Sequence, residues 1–151
     1  MTLSSLHLKK MGRTLEQMIA LANDGVKQRR KPRDEEHQIQ CACVRWFRLQ
    51  YPHYRHNLFA VPNGGRRDEV TAGKLKAEGV LAGVADLILL KSNANYGALL
   101  IEMKTRTGRQ RDTQREWQQL IEKDGYRYVV CRSLDDFMNE VNNYLATAEQ
   151  F

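Results

Sequence analysis

The sequence has little cysteine and no long hydrophobic run. Its 151 residues include only three cysteines, Cys41, Cys43 and Cys131. This odd and small number does not suit a disulfide-stabilised secreted domain and indicates a reducing compartment. No window of 18 or more apolar residues is present, and the first residues lack the apolar stretch of a secretion signal. We therefore expect an intracellular, cytoplasmic protein without a membrane span.

A zinc site is not expected from the cysteines, although His53 and His56 follow them closely. Cys41 and Cys43 lie in a stretch with helical apolar spacing. Residues two apart on a helix point to nearly opposite sides, so these two thiols cannot bind one ion. We expect both to be small, buried apolar side chains.

The charge balance favours a polyanionic partner. Lys and Arg number 24 against 18 Asp and Glu, which gives a formal charge of +6. A net positive charge attracts nucleic acid through its phosphates, but many basic proteins bind none. Charge alone therefore makes nucleic acid a candidate and leaves it undecided.

The first 33 residues are expected to form an extension. Residues 14–24 show a capping-box pattern and a short apolar stripe, and a charged linker containing Pro32 follows. A single larger domain is expected over residues 34–151, since this length can bury one core.

The first helix of that domain contains an acidic residue on its apolar face. From Asp34, a plausible N-cap, to about Gln50, apolar residues recur at helical spacing. Glu36 leads the stripe that continues through Gln40 and Phe47. Glu35 leads a neighbouring stripe, so the sequence does not decide which glutamate faces the core.

The most informative segment is a predicted hairpin in which three charges converge. "ADLILL" and "ALLIEMK" predict two antiparallel strands joined by residues 91–97. Counting back from this loop places Asp86 opposite Glu102. Side chains alternate along a strand, so Lys104 projects from the same face as Glu102.

The remaining pattern predicts an α/β fold with a mixed central sheet flanked by helices, in the order α-β-α-β-β-α-β-α. "NLFA" predicts a strand that ends before the Pro62-Asn63-Gly64 turn, and a short helix runs from about Asp68 to Glu78. After Thr105 come a loop, a helix with Gln114, Trp117 and Ile121 facing inward, the strand "YRYVVC", and a last helix capped by Ser133 and Asp136. The strand-helix-strand unit makes the last two strands parallel.

Two carboxylates that face each other repel. At about 4 Å and an effective dielectric constant of about 20 the repulsion is about 4 kcal/mol. Protonation of one acid, a salt bridge to Lys104, or a divalent cation would offset it. An all-oxygen site suits a hard cation such as Mg²⁺, which usually takes one or two carboxylates and phosphate oxygens.

The hairpin resembles the active-site hairpin of the PD-(D/E)xK nuclease superfamily, an Asp followed by Glu-x-Lys on the next strand. With "EEHQIQCACVRWFRL" before it, the Pro-Asn-Gly turn, and "GRQRDTQREWQQLIEKDG" after it, the chain from about Arg33 to Leu145 is similar to the VRR-NUC family. One departure is Ala85, where the family usually has proline. The resemblance implies a restriction-endonuclease-like fold.

The resemblance also implies roles for individual residues. Asp86, Glu102 and the backbone carbonyl of Met103 would bind Mg²⁺ or Mn²⁺, and Glu36 would complete the acidic cluster directly or through a water molecule. Lys104 would position or deprotonate the attacking water, with Gln114 and Gln40 as polar supports. Candidate DNA-binding residues are the basic side chains that flank the hairpin: Arg66, Arg67, Lys74, Lys76, Arg106, Arg109 and Arg111.

The implied function is metal-dependent endonucleolytic cleavage of DNA, with branched or Holliday-junction-like substrates and a homodimer as the expected assembly. A non-catalytic nucleic-acid-binding protein on a nuclease fold is the alternative. A third possibility is a structural protein in which the charges form a buried salt bridge. Retention of Asp86, Glu102 and Lys104 together favours the enzyme.

Overall fold

The structure is a computed structural model that describes residues 32–62 and 69–148. The expected helix at 14–24, the linker up to residue 31, the Asn63-Gly64 turn, and Arg66 and Arg67 lie outside the described residues. The division into an extension and a domain stays a prediction.

The order of elements confirms the predicted α/β fold. Along the chain they are α1 (Pro32–Gln50), a 3-10 turn (Pro52–Tyr54), β1 (Leu58–Ala60), α2 (Glu69–Ala77), β2 (Leu87–Leu89), β3 (Leu99–Met103), α3 (Asp112–Lys123), β4 (Arg127–Cys131) and α4 (Leu134–Ala146). Helix α1 begins at Pro32, so the expectation that Asp34 caps it is wrong. Proline suits the first helical position because its missing N–H would have no partner there.

The sheet is mixed and four-stranded, in the order β1-β2-β3-β4. Strand β2 is antiparallel to both of its neighbours, β1 and β3, and strand β4 is parallel to β3. Leu87 pairs with Ile101, and Leu89 with Leu99. This confirms the predicted hairpin register, which places Asp86 opposite Glu102 when it is extended by one residue.

The two faces of the sheet have different partners. One face packs on α1 and α4 and forms the main core, whose buried members include Phe47, Leu87, Leu99, Ile101, Met103, Phe137, Val141 and Leu145. The other face has a smaller cluster of Ala85, Ala98, Leu100 and Tyr128, covered by Trp117 and Ile121 of α3. All five residues of β3 are buried, as expected for a strand covered on both sides.

Helix α4 begins at the predicted cap, and helix α3 turns its predicted apolar face toward the sheet. The hydroxyl of Ser133 accepts a hydrogen bond from the backbone N–H of Asp136 at 3.0 Å, which caps α4. Trp117 of α3 meets the ring of Tyr128 edge to face, with ring centroids 6.1 Å apart. The inward face of α3 therefore packs on the strand that follows it.

The expected burial of Cys41 and Cys43 is confirmed for only one of the two residues. Cys43 and Cys131 are fully buried, but Cys41 is exposed, so its predicted burial is wrong. The Cys41 side chain lies on the exposed side of α1, away from the core that contains Cys43. Burial raises the pKa of the Cys43 and Cys131 thiols to about 12. Both remain protonated near neutral pH and are inert packing groups.

Helix α2 is short and has no buried residue. It ends near Gly79, as predicted, where φ is +97°. In the described part of the chain, no helix is long and apolar enough to cross a membrane.

Gly83 sets the distance between the hairpin and α3. Its φ is +89°, and a Cβ built on it would stand 2.6 Å from the carbonyl oxygen of Thr113. Only a residue without a side chain permits this approach. The start of α3, which carries Gln114, therefore lies directly against the segment that leads into Asp86.

Replacing Gly83 with alanine should lower the stability of the protein by more than the cost of a positive φ alone, because the new Cβ also collides with the Thr113 backbone. The strain of φ should cost about 1–2 kcal/mol, and the collision with the Thr113 backbone about 1–3 kcal/mol more. Chemical denaturation measures the difference. Gly79→Ala is the matched control, since Gly79 has a similar φ but no atom within 4 Å of its Cβ position. Equal losses in the two variants would show that the close approach does not matter.

Candidate active site

Glu102 is the central side chain of the site. It lies in the middle of the sheet and is fully buried, at 0% exposure. Its Oε1 accepts hydrogen bonds from the ammonium of Lys104 and the amide of Gln114, and its Oε2 accepts one from the Tyr128 hydroxyl at 3.3 Å. A buried carboxylate needs such donors, because burial without them is strongly unfavourable. Three structural elements meet at this group.

Gln114 is oriented from two sides. Its Oε1 accepts a hydrogen bond from the backbone N–H of Arg111 at 2.8 Å, and its amide nitrogen donates to Glu102. The first bond satisfies one of the free N–H groups at the start of α3. Since the oxygen is used there, the amide must present its N–H groups to the carboxylate.

Asp86 lies at the end of the hairpin beside Met103. Its Oδ2 accepts a hydrogen bond from the backbone N–H of Met103 at 2.8 Å. The N–H and C=O of one strand residue point toward the same neighbouring strand, so the Met103 carbonyl is directed to the same side as Asp86. The predicted convergence of Asp86 and Glu102 in one place is thus observed.

Of the two candidate helix acids, Glu36 is the one that approaches the hairpin. Its Oε1 accepts a hydrogen bond from the backbone N–H of Thr105 at 3.2 Å. Glu35 is exposed. Residues Glu36 and Gln40 lie one helical turn apart on α1 and border the same cavity.

These side chains surround one cavity of about 710 Å³. Its walls contain the side chains predicted to carry the chemistry, together with the loop before β2 and the start of α3. The predicted members are Glu36, Gln40, Asp86, Glu102, Met103, Lys104 and Gln114. The structure therefore brings together all the residues predicted to take part in catalysis, to bind the metal ion or to support these groups.

Burial makes the two hairpin carboxylates harder to ionise, and a neighbouring negative charge adds to this effect in each case. Burial raises the pKa of Asp86, and the charge of Glu36 adds to this, while Met103 and Lys104 act in the opposite direction. Burial also raises the pKa of Glu102, with the charge of Asp86 as the next cause, against the bonds from Lys104 and Tyr128. The single ammonium group of Lys104 does not offset both acids.

The donor set fits a divalent cation that keeps several other ligands. Among residues 32–62 and 69–148, no three carboxylate, imidazole or thiol groups form a ligand cluster by themselves. Asp86 and Glu102 offer carboxylate oxygens, and Met103 offers a carbonyl. Mg²⁺ is commonly bound by one or two carboxylates, with water and phosphate oxygens in the other positions. Hard oxygen ligands also suit Mn²⁺.

The predicted DNA-binding residues occupy different places. Lys74 and Lys76 are exposed on α2, and Arg106 and Arg109 are exposed on the loop after Lys104. Arg111, at the start of α3, also borders the cavity. Of these five residues only Arg111 is shown to border the acidic cluster, and in the described part of the chain none of the five forms an ion pair with Glu36, Asp86 or Glu102.

Three residues near the site, Tyr128, Arg132 and His37, are not predicted from the sequence. Arg132 donates from Nη1 to the carbonyls of Thr105 and Gly108, at 2.7 and 2.6 Å, and so holds the loop that follows Lys104. His37 borders the cavity beside Glu36. For Tyr128 the signal was the β3–β4 register, which places it two residues from the partner of Glu102.

Comparisons with known proteins agree with the geometry. A family model of the VRR-NUC domain matches residues 30–135. A solved structure described as a VRR_NUC domain protein is similar with a TM-score of 0.66 and 25% sequence identity. The similarity covers 75% of this chain and 89% of that one. No curated protein matches the sequence.

The raised pKa of Asp86 predicts that Asp86→Asn stabilises the metal-free protein. The Asp86 carboxyl group binds its proton more tightly in the folded than in the unfolded chain, so its ionisation costs stability as pH rises from about 4 through the raised pKa, and the cost persists above it. The gain of the variant over wild type should grow over this range and then stay constant. A gain of 1 kcal/mol corresponds to about 2–4 °C in melting temperature.

Melting curves in EDTA from acid to neutral pH measure this effect. Asp112→Asn is the control, because Asp112 is exposed and pairs with Arg115. It should bring no gain at any pH. If Asp86→Asn is never more stable than wild type, ionisation of Asp86 does not carry the inferred cost in stability.

Proposed function

Since this chain belongs to the VRR-NUC family, and therefore has a nuclease-type function with DNA as the implied substrate, we propose that it is a Mg²⁺- or Mn²⁺-dependent endodeoxyribonuclease. It hydrolyses phosphodiester bonds in branched DNA such as Holliday junctions. The supporting observation is the single cavity that contains Asp86, Glu102 and Lys104 of the hairpin with Glu36 of α1 and Gln114 of α3.

Asp86, Glu102 and the Met103 carbonyl would hold the cation, and Glu36 would act directly or through a water molecule. A divalent cation bound there supplies Lewis-acid activation of a phosphate oxygen and of water. The fit rests on the oxygen donors and on the raised pKa values of both hairpin acids, which a nearby positive charge would lower.

Lys104 is the group best placed to act on the attacking water. Its ammonium contacts Glu102 and lies in the cavity wall, mostly shielded from solvent. From this place it would position the water and stabilise negative charge that develops on the phosphate. Gln114 keeps Glu102 oriented, and Gln40 lines the same wall. Each role falls to a group that lies on a packed helix or strand or directly beside one, which supports precise positioning.

The number of basic residues supports a substrate recognised by its backbone. Lys74, Lys76, Arg106, Arg109 and Arg111 can contact phosphates, as can Arg66 and Arg67 in the segment before α2. Such contacts fix the position of the DNA without reading its sequence. Cleavage of two strands of a junction needs two such sites, and for this reason we propose a homodimer with two-fold symmetry.

Lys104→Ala should separate cleavage from binding. Loss of the ammonium removes the group that positions the water, so the cleavage rate should fall at least about a hundredfold. DNA affinity should change little, because one of many cations is lost. Single-turnover cleavage with Mn²⁺ and binding of labelled junction DNA in EDTA measure the two effects.

Lys123→Ala is the matched control, since Lys123 lies at the exposed end of α3 and does not border the cavity. It should cleave at the wild-type rate. Wild-type cleavage by Lys104→Ala would contradict the assignment of the hairpin as the active site. Tight DNA binding by the wild-type protein with no cleavage in Mg²⁺ or Mn²⁺ would instead favour the non-catalytic alternative.

The substrate proposal predicts a preference among DNA shapes. Four-way junctions should be cut faster than linear duplex or single strands of the same sequence, in Mg²⁺ or Mn²⁺ and not in EDTA. Light scattering should give twice the 17.5 kDa of one chain. Equal rates on all shapes would contradict the structural preference, and a 17.5 kDa particle with and without DNA would contradict paired cleavage.

A further inference from the structure

Tyr128 is a buried phenol that contacts the acidic cluster from outside the hairpin. It lies on β4, is only 5% exposed, and its hydroxyl donates to Oε2 of Glu102 at 3.3 Å. Tyr128 pairs with Leu100, so it projects from the same sheet face as Glu102, two residues further along β3. A long aromatic side chain can span this diagonal distance.

The hydroxyl group of Tyr128 donates its proton to the hydrogen bond with Glu102. A phenol has one proton to donate, and the hydrogen bond at 3.3 Å places it on Oε2 of Glu102.

The ring of Tyr128 is fixed as well as its hydroxyl. Trp117 of α3 meets it edge to face, and Leu100, Ala85 and Ala98 belong to the same cluster. The phenol cannot turn away from Glu102 without disturbing this packing. Its position is therefore set by α3 and the sheet together, independently of the hairpin charges.

The two oxygens of Glu102 have different partners. Oε1 accepts from Lys104 and Gln114, and Oε2 accepts from Tyr128. Tyr128 is neutral, so it can keep its bond when a cation approaches the carboxylate, whereas the positive charge of Lys104 is repelled by that cation. An oxygen that accepts from a phenol still has a second lone pair.

We infer that Tyr128 is a positioning residue that fixes the Glu102 carboxylate for cation binding. This inference rests on the proposed function, since it assigns Glu102 as a ligand. Hydrogen-bond partners behind a ligand orient it, and their removal typically weakens metal binding about 10- to 100-fold. Tyr128 would act through Glu102 alone and would not touch the DNA.

Tyr128→Phe tests this role because it removes the hydroxyl and keeps the ring. Melting temperature measured against Mn²⁺ concentration, without DNA, gives the half-saturating concentration of the ion. This concentration should rise about 10- to 100-fold over wild type. The Mn²⁺ concentration for half-maximal cleavage should rise by a similar factor.

Tyr144→Phe is the matched control. Tyr144 is another buried tyrosine, and its hydroxyl donates to the Lys91 carbonyl at 2.7 Å on the opposite face of the sheet. Its loss should lower the melting temperature, as the loss of any buried hydrogen bond does. It should leave the half-saturating Mn²⁺ concentration unchanged. This separates a local effect on Glu102 from a general loosening of the fold.

Each outcome decides the role of Tyr128. A change within about twofold for Tyr128→Phe, or equal weakening in both variants, would overturn it while leaving the proposed function intact. Absence of any Mn²⁺ effect on wild-type stability and cleavage would overturn both. If Tyr128→Phe does not fold, the tyrosine ultraviolet difference spectrum on Mn²⁺ addition decides. An equal signal in wild type and in each of the five variants that replace one other tyrosine with phenylalanine assigns the signal to Tyr128 and supports the role, and no signal in wild type contradicts it.

Discussion

The burial of the Glu102 carboxylate at the centre of the sheet is the constraint on which the site depends. A buried ionised carboxylate costs several kcal/mol unless donors surround it. Here the donors come from three elements: Lys104 after β3, Gln114 on α3 and Tyr128 on β4. Correct packing of these elements is therefore required before Glu102 can be buried, and the chemistry of the site is coupled to the fold.

The two sheet faces divide stability and chemistry between them. The face against α1 and α4 has the larger apolar core. The face against α3 has a small apolar cluster and, beside it, the charged groups. Because β3 contributes to both, alternate residues of one strand anchor the core and present the carboxylate. Gly83 then lets α3 come close enough for Gln114 to reach Glu102.

Much of this arrangement could be predicted from local patterns in the sequence. The hairpin register follows from loop length and strand alternation, and the inward direction of Gln114 follows from helical spacing with Trp117 and Ile121. Contacts between distant segments could not be found in this way. Tyr128 requires the β3–β4 register, and Gly83 requires the approach of α3. The choice of Glu36 over Glu35 requires the contact with Thr105.

The charge distribution explains why a basic protein has an acidic cavity. The sequence has a net charge of +6, yet the cavity holds Asp86, Glu102 and Glu36 against the single ammonium of Lys104 and the nearby Arg111. Exposed cations attract a phosphate backbone over long distances. The buried acids repel the same backbone at close range unless a cation offsets their charge. In the proposed function, attraction of DNA and cleavage of DNA fall to different residues, so the affinity for DNA can change without a change in the groups that would cleave it.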